Sequence, residues 1–228
     1  QIPILFEDGE ALVIDKPSGL PIERPRRGGA CLEDHFEHLK LGFQRAPVPV
    51  HRIDTDTSGC LLLARNPKAH KRFARAFEDR LVGKRYLGVL AGIPNGEEGT
   101  IELSLSKISS AEKGWRMIAA KKGKPSVTHW RLLDTKDGRA LIEFRPETGR
   151  THQIRVHLAD KGWPIVGDSK YGCANRNSKR MALHSHTLSF AHPYNGEPMS
   201  FTAPIPKIFH RMPSAAKSDG SGKRGKRR

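Results

Sequence analysis

Asp137-Gly138 separates two runs rich in apolar and β-branched residues, 127–133 and 139–144. An Asp-Gly pair suits both central positions of a tight primed turn, so the stretch reads as a two-residue β-hairpin. That commits the chain to antiparallel pairing. Other strand signals agree. Ala11-Leu12-Val13-Ile14 is a short apolar run stopped by Lys16-Pro17-Ser18-Gly19, Cys60-Leu61-Leu62-Leu63-Ala64 is a second, 86–91 has strand character, and His184, His186, Leu188 and Phe190 alternate. Helix signals are fewer. Asn66 is a good N-cap, Pro67 suits the first helical position, and Ala69, Phe73, Phe77 and Leu81 make one apolar stripe. This predicts a helix over 67–82 with Gly83 at its C-terminal cap. A shorter helix is expected over 150–161, ending near Gly162. With strands outnumbering helices and no internal repeat or linker, the chain reads as a single α+β domain built on a mainly antiparallel sheet.

Charge narrows the partner. Among 228 residues, 40 Lys and Arg face 24 Asp and Glu, a formal net charge of +16. Residues 211–228 supply +6 of it, so the preceding part is itself basic. Such self-repulsion suits a polyanionic partner, RNA or DNA first. Residues 21–30 read as a basic loop, Lys68, Lys71, Arg72 and Arg75 make the 67–82 helix basic, and 211–228 read as a disordered basic tail. Cys31, Cys60 and Cys173 are odd in number and far apart, which indicates neither a disulfide framework nor a zinc site, and fits a reducing, cytoplasmic setting. His152 and His157 are five apart without further ligands at sensible spacing, so no metal is expected. No stretch approaches a membrane span and no signal peptide stands at the start.

Two segments are dense in chemistry. His51-Arg52-Ile53-Asp54-Thr55-Asp56-Thr57-Ser58-Gly59 puts an acid in a polar loop at the mouth of the 60–64 strand. Thr148-Gly149-Arg150-Thr151-His152-Gln153-Ile154-Arg155-Val156-His157 clusters donors where a helix begins. Together with Lys16-Pro17-Ser18-Gly19-Leu20, Lys84-Arg85-Tyr86, Gly167-Asp168, Tyr171-Gly172 and the Leu183-to-Pro193 stretch, they resemble the RluA family of RNA pseudouridine synthases, in order, from Ile4 to Pro206. Ile53 stands where that family has Leu, and Ile22-Glu23 where it has an apolar-His pair.

The resemblance implies the pseudouridine synthase fold: one catalytic domain, 1–210, with a bent, mainly antiparallel mixed sheet, flanking helices and a basic central cleft, and no space ahead of residue 16 for an S4-type RNA-binding domain. It implies an isomerase acting on rRNA or tRNA without metal or cofactor, since uridine becomes pseudouridine with no redox change; for the oligomeric state, which the sequence leaves open, a monomer is the default expectation. Asp54 matches the catalytic carboxylate. Arg155 matches its basic partner, which favours the ionised form, and Tyr86 the active-site tyrosine. Arg52 matches the side chain that fills the gap left by a flipped base. His51, Arg150, His152 and Gln153 are further substrate-binding candidates. Two other classes are weaker. A non-catalytic RNA-binding or ribosome-assembly protein would not need Asp54, Tyr86 and Arg155 together. Asp56-Thr57-Ser58-Gly59 lacks the uninterrupted, duplicated triplet of an aspartic protease.

Overall fold

A computed structural model describes residues 1–172 and 180–211. Cys173 and, from 212 onward, the basic tail lie outside the described residues. In chain order the elements are β1 (Ile4–Glu7), β2 (Ala11–Lys16), β3 (Val48–Pro49), β4 (Ser58–Ala64), α1 (Pro67–Glu78), β5 (Gly83–Leu90), β6 (Glu98–Glu102), β7 (Leu105–Ser110), β8 (Gly114–Ala119), β9 (Val127–Lys136), β10 (Arg139–Pro146), α2 (Gln153–Asp160), β11 (Leu183–Ala191) and β12 (Pro198–Thr202). Among the described residues no helix is long and apolar enough to cross a membrane.

Ten strands form one mixed sheet with the path β1-β2-β4-β11-β5-β10-β9-β6, β12 and β3 joining at β11 and β4, and β7-β8 stand apart as a two-stranded ribbon. The β9–β10 hairpin turns where the sequence places it. Asp137 at φ 52° and Gly138 at φ 74° supply the positive angles of a primed turn. Every pairing in the ten-stranded sheet is antiparallel except that of β4 with β11, which run parallel with Ser58 opposite His184 and Gly59 opposite Ser185. Gly59 makes that contact possible. It sits at φ 111°, and a Cβ there would lie 2.1 Å from the Ser185 carbonyl oxygen.

β4 is buried along its whole length and separates two apolar layers. On one side Leu62 and Cys60 pack with Ala69 and Phe73 of α1 and with Leu188 and Phe190. On the other, Leu61 and Leu63 pack with Leu12, Ile14, Leu32 and Ile53. Phe73 is 1% exposed, and truncating such a residue to Ala typically costs about 3–5 kcal/mol.

α1 ends earlier than its sequence stripe predicts. Arg80, not Gly83, takes the left-handed position at φ 57°. The Leu81 N–H then reaches back to the Ala76 carbonyl at 2.8 Å, the closure of a helix C-terminus. Leu81 is consequently 69% exposed rather than part of the apolar face, and Gly83 opens β5. The shorter α2 agrees with expectation, its chain turning back at Gly162.

Candidate active site

Asp54 lies in the loop that delivers the chain into β4, where β4 meets β11 at the centre of the sheet. The loop is anchored from beneath. Lys16, fully buried, donates from Nζ to the carbonyls of Pro17, Leu20 and Thr55 at 2.8, 2.8 and 2.9 Å. Gly19 N–H donates to the same Thr55 carbonyl and Ser18 Oγ to that of Asp56. One turn is thereby lashed to the other. Burial pulls the Lys16 ammonium down to about 8, opposed by Asp56 and Asp54.

Arg155 comes from α2 and is 101 residues away in sequence. Its Nη1 lies 3.3 Å from Asp54 Oδ2, while Nε and Nη2 grip the two oxygens of Asp168 at 2.9 Å each. Asp168 is 1% exposed and also accepts the Lys170 and Tyr171 N–H groups. Burial alone would raise the Asp168 carboxyl, but Arg155 and these backbone donors outweigh it and hold the group below its ordinary range. Burial likewise lowers the Arg155 guanidinium, and the two carboxylates more than reverse this. The cation is shared between Asp168, which holds it, and Asp54, which is 21% exposed at the side chain and open to a ligand.

Tyr86 is on β5 opposite Ser185 of β11, beside an irregularity in register at His186 of the kind that re-aims side chains near active sites. Burial first, then the Asp54 charge, raise its phenol above the ordinary value, while a hydrogen bond with Ser185 opposes them. Tyr86 therefore stands within the field of Asp54 as a neutral hydroxyl. Lys84, two residues earlier on the same face of β5, donates to the Thr148 carbonyl at 3.2 Å and ties this strand to the loop before α2.

The remaining sequence candidates divide. His152 joins the site, with Nε2 at 3.9 Å from Asp54 Oδ1. Arg150 sits at the rim, its Nε donating to the Pro125 carbonyl at 3.1 Å. Arg52 is exposed and paired outward with Glu23 at 2.7 Å. His51 turns away from Asp54. Its Nε2 accepts the Leu62 N–H at 2.9 Å, its ring stacks on Phe77 at 4.6 Å, and burial with the nearby Lys84 pulls it down to about 3. Gln153 is 4% exposed and works as a splice. Its Oε1 accepts from Thr148 Oγ1 and Arg150 N–H, and its Nε2 donates to Val127 O and Thr128 Oγ1. Thr128 in turn meets His157 Nδ1 at 2.9 Å, and His157 Nε2 meets Ser126 Oγ at 2.8 Å. The Gln153 amide is thus engaged within the fold, and His51 Nε2 is spent on the β4 backbone.

Part of the basic surface on α1 is also engaged internally: Arg72 donates to the Pro193 carbonyl and covers the Tyr194 ring. The residues that residue-by-residue assignment passes over are Asp168, Tyr171, Lys16 and Trp115. The first three belong to the quoted motif segments, which was the available signal. Trp115 has none.

The sequence profile described as RNA pseudouridylate synthase matches residues 10–160. The chain belongs to the RNA pseudouridylate synthase family. This RNA pseudouridine synthase is 52% identical over 208 residues to a protein of Zymomonas mobilis named as an uncharacterized RNA pseudouridine synthase, covering 90% of this chain and 94% of that one. It is 34% identical to the ribosomal large subunit pseudouridine synthase D of the same organism, covering 90% of this chain and 70% of the relative. Among solved structures it superposes on human RNA pseudouridylate synthase domain containing 1 with TM-score 0.76 at 28% identity, covering 94% and 89% of the two chains. The synthase is thus an isomerase of uridine in RNA, and its RluA-type motifs and fold are those the sequence announced.

Proposed function

We propose that Asp54 is the carboxylate on which pseudouridine formation turns, with Arg155 as its charge partner and Tyr86 as the group that receives the base. The observation that supports this best is the split grip of Arg155, fixed by Asp168 through two nitrogens and offering the third to a partly exposed Asp54. The reaction breaks the N1–C1′ bond, turns the uracil and joins C5 to C1′. The C5 proton is lost and N1 gains one, so atoms and electrons balance on uridine alone and no cofactor is called for. Covalent and glycal-like routes both need an ionised carboxylate beside C1′. Arg155 favours that form without competing for the face of Asp54 that the ribose would meet. The Tyr86 ring can stack on the uracil, and its neutral hydroxyl can relay the C5 proton.

A stacked uridine must first leave its helix, at a cost of a few kcal/mol. Arg52 is the candidate to fill the gap, and the loop at 21–30 the candidate to meet phosphates. The substrate is rRNA or tRNA, taken up by a monomer in the cytoplasm. The identities of 52% and 34% to two proteins of one organism favour a target distinct from that of the D enzyme. The test is tritium release from C5-labelled uridine in bulk rRNA and bulk tRNA, wild type beside Asp54→Asn. Release by wild type alone supports the assignment and names the RNA class. Release by both would remove Asp54 from the chemistry. Release by neither, with RNA binding intact, would favour a non-catalytic binder.

A further inference from the structure

The imidazole of His152 is held from several sides. Trp115 of β8 stacks on it with ring centroids 5.0 Å apart at 24°. Tyr171 stands edge-on at 5.4 Å, its hydroxyl 2.7 Å from Nδ1. The His152 backbone sits at φ 56°, a conformation that persists in a non-glycine residue where its surroundings over-determine it. The outcome is a ring whose other nitrogen, Nε2, faces Asp54 Oδ1 across 3.9 Å.

The proton on this ring can be placed. The Tyr171 oxygen accepts the Met117 N–H at 3.0 Å, which uses the good in-plane lone pair of a phenol. Its single proton is then directed at the other short contact it makes among the described residues, Nδ1. A neutral imidazole that accepts at Nδ1 carries its proton on Nε2. Burial keeps the ring neutral, holding it down to about 4.

Nε2–H and Asp54 Oδ1 are therefore a donor and an acceptor side by side. They are too far apart to bond each other, yet spaced so that one hydroxyl oxygen, about 2.8 Å from each, would accept from the first and donate to the second. That hydroxyl must adjoin the carbon at which Asp54 acts. On a uridine it is the ribose 2′-hydroxyl, both donor and acceptor, the group that tells RNA from DNA. We propose that His152 and Asp54 form a pair that reads the 2′-hydroxyl of the target nucleotide, and that Tyr171 is the positioning residue that sets the tautomer this requires. The proposal rests on the assignment of Asp54 to the reacting ribose.

Two measurements on the full chain test it. The first needs no RNA. Nitrogen-15 shifts of the histidine side chains should show His152 protonated at Nε2 and bare at Nδ1, and Tyr171→Phe should move it toward the other tautomer. A protonated Nδ1 in wild type overturns the proposal. The second uses a stem-loop cut from the RNA that the tritium assay shows to be modified, its target made as ribo-, 2′-deoxy- or 2′-fluorouridine and used as competitor. The wild type should prefer the ribose form by about tenfold, the worth of one such hydrogen bond. Both analogues should lose, since the first lacks the group and the second cannot donate to Asp54. His152→Ala should bring the ribo-to-deoxy ratio to about twofold or less, His152→Gln should restore much of it, and Tyr171→Phe should fall between. Should His152→Ala not fold, Tyr171→Phe decides alone. An unchanged ratio in either variant overturns the ribose-reading role. If no RNA is modified at all, the proposed function fails and takes ribose reading with it, while the tautomer result stands by itself.

Discussion

Asp168, not Asp54, is the carboxylate that holds Arg155. The grip on Asp168 is bidentate at 2.9 Å and almost wholly buried, whereas Asp54 receives one nitrogen at 3.3 Å. The difference separates stability from catalysis. Truncating one member of a buried hydrogen-bonded ion pair typically costs about 3–5 kcal/mol, because the other charge is left without a partner. Asp168→Ala should therefore lower the unfolding free energy, read from urea titration, by an amount in that range and slow turnover as Arg155 loses its place. Asp54→Asn should abolish turnover while shifting stability by about 1 kcal/mol or less. Equal stability losses in the two variants would show that the pair is not divided in this way.

Lys16 carries the second prediction. Its three carbonyl partners come from both the 17–20 turn and the Asp54 loop. Lys16→Met fills the same space but leaves the Pro17 and Leu20 carbonyls without this donor, while Thr55 keeps the Gly19 N–H, and each buried orphan costs about 1–3 kcal/mol. The variant should be destabilised by several kcal/mol. In its folded fraction kcat should fall more than RNA affinity, since the surface proposed to meet phosphates is untouched. A variant with wild-type kcat would remove Lys16 from the support of Asp54.

Much of this was readable in the sequence, and the reasons differ by element. The β9–β10 turn was legible because Asp137-Gly138 is a local instruction. β2 and β4 were legible because a strand buried on both faces is a plain apolar run. The end of α1 was not, since Arg80 occupies a left-handed position that sequence logic reserves for glycine. Nor was the β7–β8 ribbon, whose Lys107, Ser109 and Ser110 give no clean alternation. At the site, Asp54 and Arg155 followed from motif order. The motif did not say which of its polar residues point inward to hydrogen-bond the fold. His51 Nε2 and Gln153 Nε2 are spent on Leu62, Val127 and Thr128, and only three-dimensional proximity shows it.

Gly59 gives the third prediction. At φ 111° with the Ser185 carbonyl 2.1 Å from a would-be Cβ, the obstacle is backbone and cannot swing aside. Gly59→Ala must either part β4 from β11 or strain both. Overpacking and a forced dihedral each cost about 1–3 kcal/mol, so a loss of at least about 2 kcal/mol is expected, read as a lowered thermal midpoint or failure to accumulate as folded protein. Gly138→Ala, with nothing within 4 Å of its Cβ position, should cost less despite its φ of 74°.

Acid should weaken the fold before ordinary carboxylates titrate. Burial holds His51 at about 3, and His152, His157 and His184 at about 4, against 6.5 for a free imidazole. Between pH 6.5 and 4 the unfolded chain binds protons that the folded chain refuses, so unfolding free energy rises with pH across that window. The contribution is complete above 6.5 and is lost as pH falls toward 4. Urea midpoints at pH 7.5, 6 and 5 should decline in that order. A flat series would mean that these rings are not kept neutral by the fold.

Arg52 and Glu23 supply the last prediction, which turns on magnitude. Their contact at 2.7 Å is short, but the side chains are 68% and 60% exposed, and such pairs are worth about 0–1 kcal/mol. RNA can therefore displace Glu23 at little cost, and Glu23→Gln should change RNA affinity by about fivefold or less. Arg52→Ala removes instead the planar group proposed to fill the gap of a flipped base. Its effect should depend on the substrate: a large loss of rate on a uridine stacked in a helix, and a small one on the same uridine freed by a mismatch or nick. Equal losses on both substrates would make Arg52 a general RNA-binding residue. A Glu23→Gln effect as large as that of Arg52→Ala would make the ion pair itself the working unit.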